Sequence, residues 1–310
     1  MPSPFSQYDV HVSLGNALEP MNERGHMVNM KTILITGGTN GIGKGLALAF
    51  LKQGDRVIVV SSSAAKGAAF SEEAKQLGAL ERTFFLQADL RLAQENKRVV
   101  EEVKRQFRSL DLLILCAQAQ KFSTAYVETK EGFEKQFALY YLSRYLLSYG
   151  LKSTLEQADN PIIVNVCAPG TGGSVQWEDL QLKHAQKFTS LKAIIHGSRL
   201  NDLLGVAFVE NDPKRKVKYI LYNPGVVQTE GVTEAFEQPI LKMFIKLLYT
   251  MIGKSVEEAI QPILELAEHP PQSALAAFKA RKEVSLSREL FDKNRAQTLF
   301  EHTSVLLGRA

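Results

Sequence analysis

Lys31-Thr-Ile-Leu-Ile-Thr36-Gly37-Gly38-Thr39-Asn40-Gly41-Ile42-Gly43 is the stretch on which the reading of this chain turns. An apolar run of strand length enters a turn with spaced glycines, and Lys44 to Gln53 then has the composition of a helix, ended by Gly54-Asp55. Glycines let a backbone turn tightly and approach a pyrophosphate, which then sits on the free amides of a helix N-terminus. The spacing Gly-x-x-x-Gly-x-Gly is weak evidence alone; a strand before it and a helix after it supply the context that gives it weight.

Outward from that turn, apolar strands alternate with helices. Arg56–Ser61, Thr83–Asp89, Asp111–Cys116, Ile162–Cys167 and Val217–Tyr222 read as further strands. Ala64–Leu77, Gln94–Arg108, Gly132–Leu151 and Leu191–Glu210 read as the helices between them. Continuous rather than alternating apolar strands mean a parallel sheet covered on both faces, so the expected fold is α/β, a Rossmann-like doubly wound parallel sheet. No repeat and no linker divides the chain, and a single domain from residue 30 to 310 is expected.

The composition agrees. Of 310 residues, 45% are hydrophobic and 23% charged, enough for a core and against wholesale disorder. Lys plus Arg is 37 against 33 for Asp plus Glu, a net +4 with no basic stripe, which argues against a nucleic-acid partner. Two cysteines, Cys116 and Cys167, make neither a disulfide framework nor a metal-ligand pattern, so no metal is expected and the cytoplasm is the default compartment. Residues 1–29 are polar and aperiodic, lack an apolar signal core, and read as a flexible extension. The segment 239–253 is apolar but interrupted by Lys242 and Lys246 one helical turn apart. It is too short and too charged to span a bilayer and reads as an amphipathic lid over an apolar substrate, with peripheral membrane contact as the minority reading.

Thr36-Gly37-x-x-x-Gly41-Ile42-Gly43 resembles the short-chain dehydrogenase/reductase family, and later segments are similar in the same order. These are Asp89-Leu90, Leu110–Leu115, Ile162–Val166 and Asn223-Pro224-Gly225-Val-Val-Gln-Thr229, while Thr129–Phe137 and Trp177–Leu180 resemble the retinol-dehydrogenase-like branch. The resemblance implies a nicotinamide dinucleotide held by Gly37, Thr39, Asn40, Gly41, Ile42 and Gly43. It also implies Ser62 near the adenosine ribose, Asp89 and Leu90 near the adenine, Cys116 and Ala117 beside the cofactor, and Pro224, Gly225 and Thr229 at the nicotinamide. Ser61-Ser62-Ser63 ends the second strand without a carboxylate to chelate the ribose diol, and Lys66 is nearby, which favours NADP(H) over NAD(H). Homodimers or homotetramers formed through the helices at 132–151 and 191–210 are a further implication.

The chain departs from the family at its chemistry. The family places a tyrosine and a lysine four residues apart on one helix, a serine after the fifth strand and an asparagine on the preceding helix. Those positions fall here on Ile195, Arg199, Ala168 and Tyr140. Isoleucine cannot donate a proton and alanine cannot polarise a carbonyl. Arg199 can still reach a ribose hydroxyl. Tyr126-x-x-x-Lys130 repeats the tyrosine–lysine spacing before the wrong helix and reads as chance.

Tyr140 is the sharpest substitute for the lost acid, because Arg144 lies one turn on and a guanidinium favours phenolate; plain packing of Tyr140, Tyr141 and Tyr145 is the competing reading. His196 titrates near neutrality but is offset by about 100° from the lost tyrosine position. A thiol pair at Cys116 and Cys167 reads more simply as inert and buried. The expected function is an NADP-dependent oxidoreductase acting on a small, apolar carbonyl or alcohol, with Tyr140, Arg199 and His196 as candidate catalytic residues. A non-redox isomerase or cyclase, and an inactive cofactor-binding partner protein, stand as alternatives.

Overall fold

Short runs rich in Ile, Leu and Val, each closed by glycine or polar residues, assemble into one sheet at the centre of the chain. The computed structural model describes residues 30–118, 123–228, 253–287 and 289–308. Strands β1 (Thr32–Thr36), β2 (Arg56–Ser61), β3 (Thr83–Gln87), β4 (Leu112–Leu115), β5 (Ile162–Val166), β6 (Lys218–Asn223) and β7 (Leu275–Lys279) run parallel. The two-residue β8 (Lys282–Glu283) returns antiparallel to β7. The spatial order is β3-β2-β1-β4-β5-β6-β7-β8, so the winding reverses between β1 and β4. That reversal opens a crevice at the carboxyl ends of the strands, where doubly wound sheets bind ligands.

Alternate residues of β1 serve opposite cores. Ile33 and Ile35 pack with Leu46 and Phe50 of α1 (Gly41–Gln53), Phe70 of α2 (Ala64–Gln76) and Ile263 of a helix at Val256–Glu268. Leu34 packs with Val99 and Val103 of α3 (Ala93–Gln106), Leu147, Leu203 and Leu299 on the other face. Both faces are covered, which is why the strands carry no polar alternation.

The helix expected over Gly132–Leu151 is broken. Its first turn is α4 (Lys135–Phe137), followed by a π turn at Ala138–Leu142 and then α5 (Ser143–Gly150). Within the π turn the Tyr140 carbonyl accepts a 2.7 Å hydrogen bond from Asn201 Nδ2, a partner outside the helix that compensates for loosened winding. A short α6 (Lys152–Leu155) and the long α7 (Ser190–Glu210) follow. The sheet is wider than the six strands expected, by β7 and β8, and α8 (Val256–Glu268) and α9 (Lys293–Gly308) complete the described helices. Ser255 and Glu258 close a capping box at the start of α8. The expected extension at 1–29 and all of the expected lid at 239–253 but Gly253 lie outside the described residues, and no helix among those described is long and apolar enough to cross a membrane.

Helix α9 lies on α5 and α7. Tyr141 Oη bonds Thr303 Oγ1 at 2.6 Å, Tyr145 Oη bonds Ser304 Oγ at 3.0 Å, and the Tyr149 and Phe300 rings lie 5.2 Å apart. Most of α7 is buried as a result. The helix pair expected to meet a second copy is therefore covered on this side by the chain's own C-terminal helix.

Candidate active site

The glycine turn closes on itself at the end of β1. Gly37 (φ +68°) and Gly41 (φ +51°) adopt left-handed backbone, open to glycine without strain. Gly37 N donates to Val60 O at 2.8 Å, which ties the turn to β2. Asn40 caps α1 through its side chain, accepting from Gly41 N at 2.8 Å. A Cβ on Gly43 would stand 2.5 Å from the Gly37 carbonyl oxygen, and one on Gly37 would stand 3.0 Å from Ala117 Cα. Helix, turn and β4 thus approach as closely as backbone allows, leaving the α1 amides facing the crevice. Such a cradle suits a pyrophosphate.

On the β2–β3 side, Thr39 Oγ1 and Ser61 Oγ are 2.8 Å apart, and Ser63 caps α2 by accepting from Lys66 N at 3.3 Å. Ser62 and Lys66 are exposed. Asp89 is gripped by Arg91, with Nη2 to Oδ2 at 2.7 Å. Burial alone would raise its carboxyl, but Arg91's hydrogen bonds and charge hold it below the usual carboxylate range. Leu90 is buried beneath. Asp89 and Arg91, with Lys130 and Lys135, line an open hollow of about 360 Å³ on the β2–β3 side, away from the positions expected to do chemistry.

At the ends of β4 and β5, Cys116 N and Ala117 N both donate to Thr36 Oγ1 at 3.1 Å. Burial pushes the Cys116 thiol up to about 12 and raises Cys167 further, with Arg144 opposing both, so neither is a thiolate at neutral pH. Ala168 is followed by a loop that closes locally: Thr171 Oγ1 donates to Ala168 O at 2.6 Å, while the exposed Ser174 Oγ accepts from Gln176 Nε2 at 3.1 Å. Pro224 and Gly225 (φ +81°) follow β6, where Gly225 N donates to Asn223 Oδ1 at 2.8 Å. Thr229 lies outside the described residues.

The residues expected to stand at or beside the family's catalytic positions behave differently from one another. Ile195 is 39% exposed, near Gly173 of the loop after β5. Arg199 is buried, its Nη1 on Asp202 Oδ2 at 2.6 Å and its Nη2 on Leu290 O at 2.8 Å, so the guanidinium is engaged inside the protein rather than extended toward a ribose. Asp202 also accepts from Gly170 N at 3.2 Å. Burial raises Asp202 to about 7, with Arg199 and the Gly170 amide pulling the other way. Tyr140 is buried against α7: its ring lies where a Cβ on Gly197 would stand 2.7 Å away, and its hydroxyl is 3.3 Å from Ser198 Oγ. Burial raises the phenol to about 12, although Arg144 lowers it. His196 faces the 176–182 segment, where its Nε2 accepts from Gln176 N at 3.0 Å. Burial depresses it to about 4 and leaves it neutral, with its acceptor nitrogen occupied.

A polar network absent from the sequence reading runs beneath these groups. The Arg144 guanidinium carbon lies 4.4 Å from the Tyr140 ring centroid. Arg144 Nη1 donates to Asn165 Oδ1 and to Val166 O at 2.8 Å, and Nη2 donates to Ala117 O at 3.3 Å. Asn165 Nδ2 continues to Asn201 Oδ1 at 2.8 Å and to Tyr219 Oη at 3.0 Å. The Arg199–Asp202 pair had a visible signal, opposite charges three apart on a helix. Asn165 and Asn201 had none, since their meeting depends on β5 packing under α7.

A model of the short chain dehydrogenase family matches residues 31–181. Retinol dehydrogenase 13 of Mus musculus is 27% identical, with 90% of this chain and 84% of that one covered. Retinol dehydrogenase 12 of the same species is 25% identical over 90% and 86%. An oxidoreductase of Emericella nidulans is 27% identical and covers 70% of this chain, which spans only 65% of that protein's length. Among solved structures, a short chain dehydrogenase from Shigella flexneri complexed with NADP superposes with a TM-score of 0.61 at 15% identity, covering 82% of this chain and 98% of that one. Salutaridine reductase of Papaver somniferum gives 0.60 at 18% identity, covering 80% and 99%. At these identities the structures speak for the fold alone.

Proposed function

We propose, from the premise that this chain belongs to the short-chain dehydrogenase/reductase family, that it binds NADP(H) at the carboxyl edge of its sheet and reduces a small, apolar carbonyl or activated alkene. The glycine cradle is the observation that carries the reading. Gly43 sits against the Gly37 carbonyl so tightly that only a glycine fits, and the free end of α1 faces the space a pyrophosphate takes. The end of β2 supports the 2′-phosphorylated cofactor: Ser61, Ser62 and Ser63 bring no repelling carboxylate and Lys66 stands exposed beside them. When bound, the dinucleotide supplies the hydride.

The proton has another source than the family's tyrosine. Tyr140 is enclosed, with a phenol near 12, and the His196 acceptor nitrogen is occupied, so water at the mouth of the crevice is the donor we favour. Water is a weak acid, which favours acceptors whose reduced anion is delocalised, as in an activated alkene. The same burial of Tyr140, His196 and both thiols supports a second reading, a dinucleotide-binding protein without turnover. Titration with NADPH and NADH, followed by cofactor fluorescence, tests the premise: NADPH is expected to bind at least tenfold more tightly. No binding of either at millimolar concentration would sink both readings. A panel of apolar carbonyls and activated alkenes then separates them, and Tyr140→Phe is expected to keep turnover within about threefold. A loss of more than a hundredfold would instead make Tyr140 the donor.

A further inference from the structure

Granting the dinucleotide site proposed above, we infer that Arg144 is a buried cation with no carboxylate hydrogen-bonded to it that makes the site prefer the reduced cofactor over the oxidised one. Arg144 is among the most deeply buried side chains of the protein, at 1% exposure. Its hydrogen-bond partners are all uncharged: Asn165 Oδ1, Val166 O and Ala117 O. Its Nε has no partner among the described residues. The buried carboxylate of α7, Asp202, is held by Arg199 and the Gly170 amide. A buried cation of this kind keeps a long electrostatic reach, because little water screens it.

Its place in the fold aims that charge. The guanidinium bridges the chain just after β4 to the end of β5, which lie on the opposite side of the β1 turn from Ser61 and Asp89. A dinucleotide whose pyrophosphate rests on the α1 amides and whose adenosine takes the β2–β3 side must lay its nicotinamide on the β4–β5 side. The oxidised nicotinamide ring carries a positive charge and the reduced ring carries none. The two forms otherwise present the same phosphates and sugars, so a fixed cation at the β4–β5 edge would discriminate between them by that charge. The same preference would keep the reduced form in the site and let the oxidised form leave it.

The test compares the dissociation constants of NADPH and NADP+, by fluorescence and by calorimetry, for wild type, Arg144→Lys and Arg144→Gln. Wild type is expected to bind NADPH at least tenfold more tightly than NADP+. Arg144→Lys should keep that ratio and Arg144→Gln should bring it within threefold of unity. The ring-less fragment 2′-phospho-ADP-ribose should bind all three proteins alike, which separates a charge effect on the ring from a damaged pocket. Equal wild-type affinity for the two forms overturns the inference even if the glutamine variant fails to fold. A folded Arg144→Gln with an unchanged ratio overturns it too. Binding of neither form would overturn the dinucleotide reading itself.

Discussion

Tyr140 packs against Gly197 of α7 and His196 is the residue beside that glycine, and burial suppresses the acid–base chemistry of both. For His196 the consequence is a pH-dependent stability. Its folded pKa of about 4 lies below the ordinary value of 6.5, so between those limits the unfolded chain binds the extra proton. Stability therefore rises with pH across that window, and the contribution, present in full above 6.5, is lost as pH falls toward 4. It amounts to at most about 3 kcal/mol. Asp202, raised by burial, slopes the other way and is common to both proteins, so the difference between wild type and His196→Gln isolates the histidine. Urea midpoints from pH 4 to pH 7.5 should fall more steeply on acidification in wild type than in the variant; parallel curves would show that His196 is not buried in solution.

The β1–turn–α1 unit is the element whose sequence and geometry agree most closely. Strand, turn and helix meet through Gly37, Gly41 and Gly43, and the third of these has no room for a methyl group. Gly43→Ala should cost about 1–3 kcal/mol by forcing the turn apart. It should also weaken NADPH binding by more than tenfold, read in the same fluorescence titration. Retained affinity with unchanged melting would mean that the helix can slide away from the Gly37 carbonyl. The opposite case is the α4–π–α5 run. Its apolar pattern predicts one continuous helix, yet Asn201 takes the Tyr140 carbonyl from outside and the winding loosens there.

At the scale of the whole molecule, α9 decides which faces remain for association. It covers α5 and α7 through Tyr141–Thr303, Tyr145–Ser304 and the rings of Tyr149 and Phe300. A second copy could use those helices only after displacing contacts already made. Light scattering on the full chain should therefore give one chain mass, 34.5 kDa. A stable particle of twice that mass, lost on substitution within α5 or α7, would mean that α9 leaves its place.

Much of this protein is decided locally. The glycine spacing after β1, the unbroken apolar strands and the helices between them are short-range patterns, and each forms where it is written because turn geometry and burial act on neighbouring residues. The residue types at Ile195, Arg199, Ala168 and Tyr140, where the resemblance leads one to expect the catalytic groups, are equally local, since they are a matter of which side chain occupies a place. β7, β8, α8 and α9 are not legible in the sequence, where Ala276, Ala277 and Pro262 blur strand and helix signals that only pairing with β6 and packing on α1 and α7 resolve. The state of each site residue belongs to the tertiary structure. Arg199 reads as free for a ribose, but Leu290, 91 residues away, takes its guanidinium; Arg144 does stand beside Tyr140, but β5 and the chain after β4 add three oxygens that hold it. Charge, burial and hydrogen-bond partners are set by residues distant in the chain, so the same residue types could have been catalytic, structural or both until the fold brought those residues together.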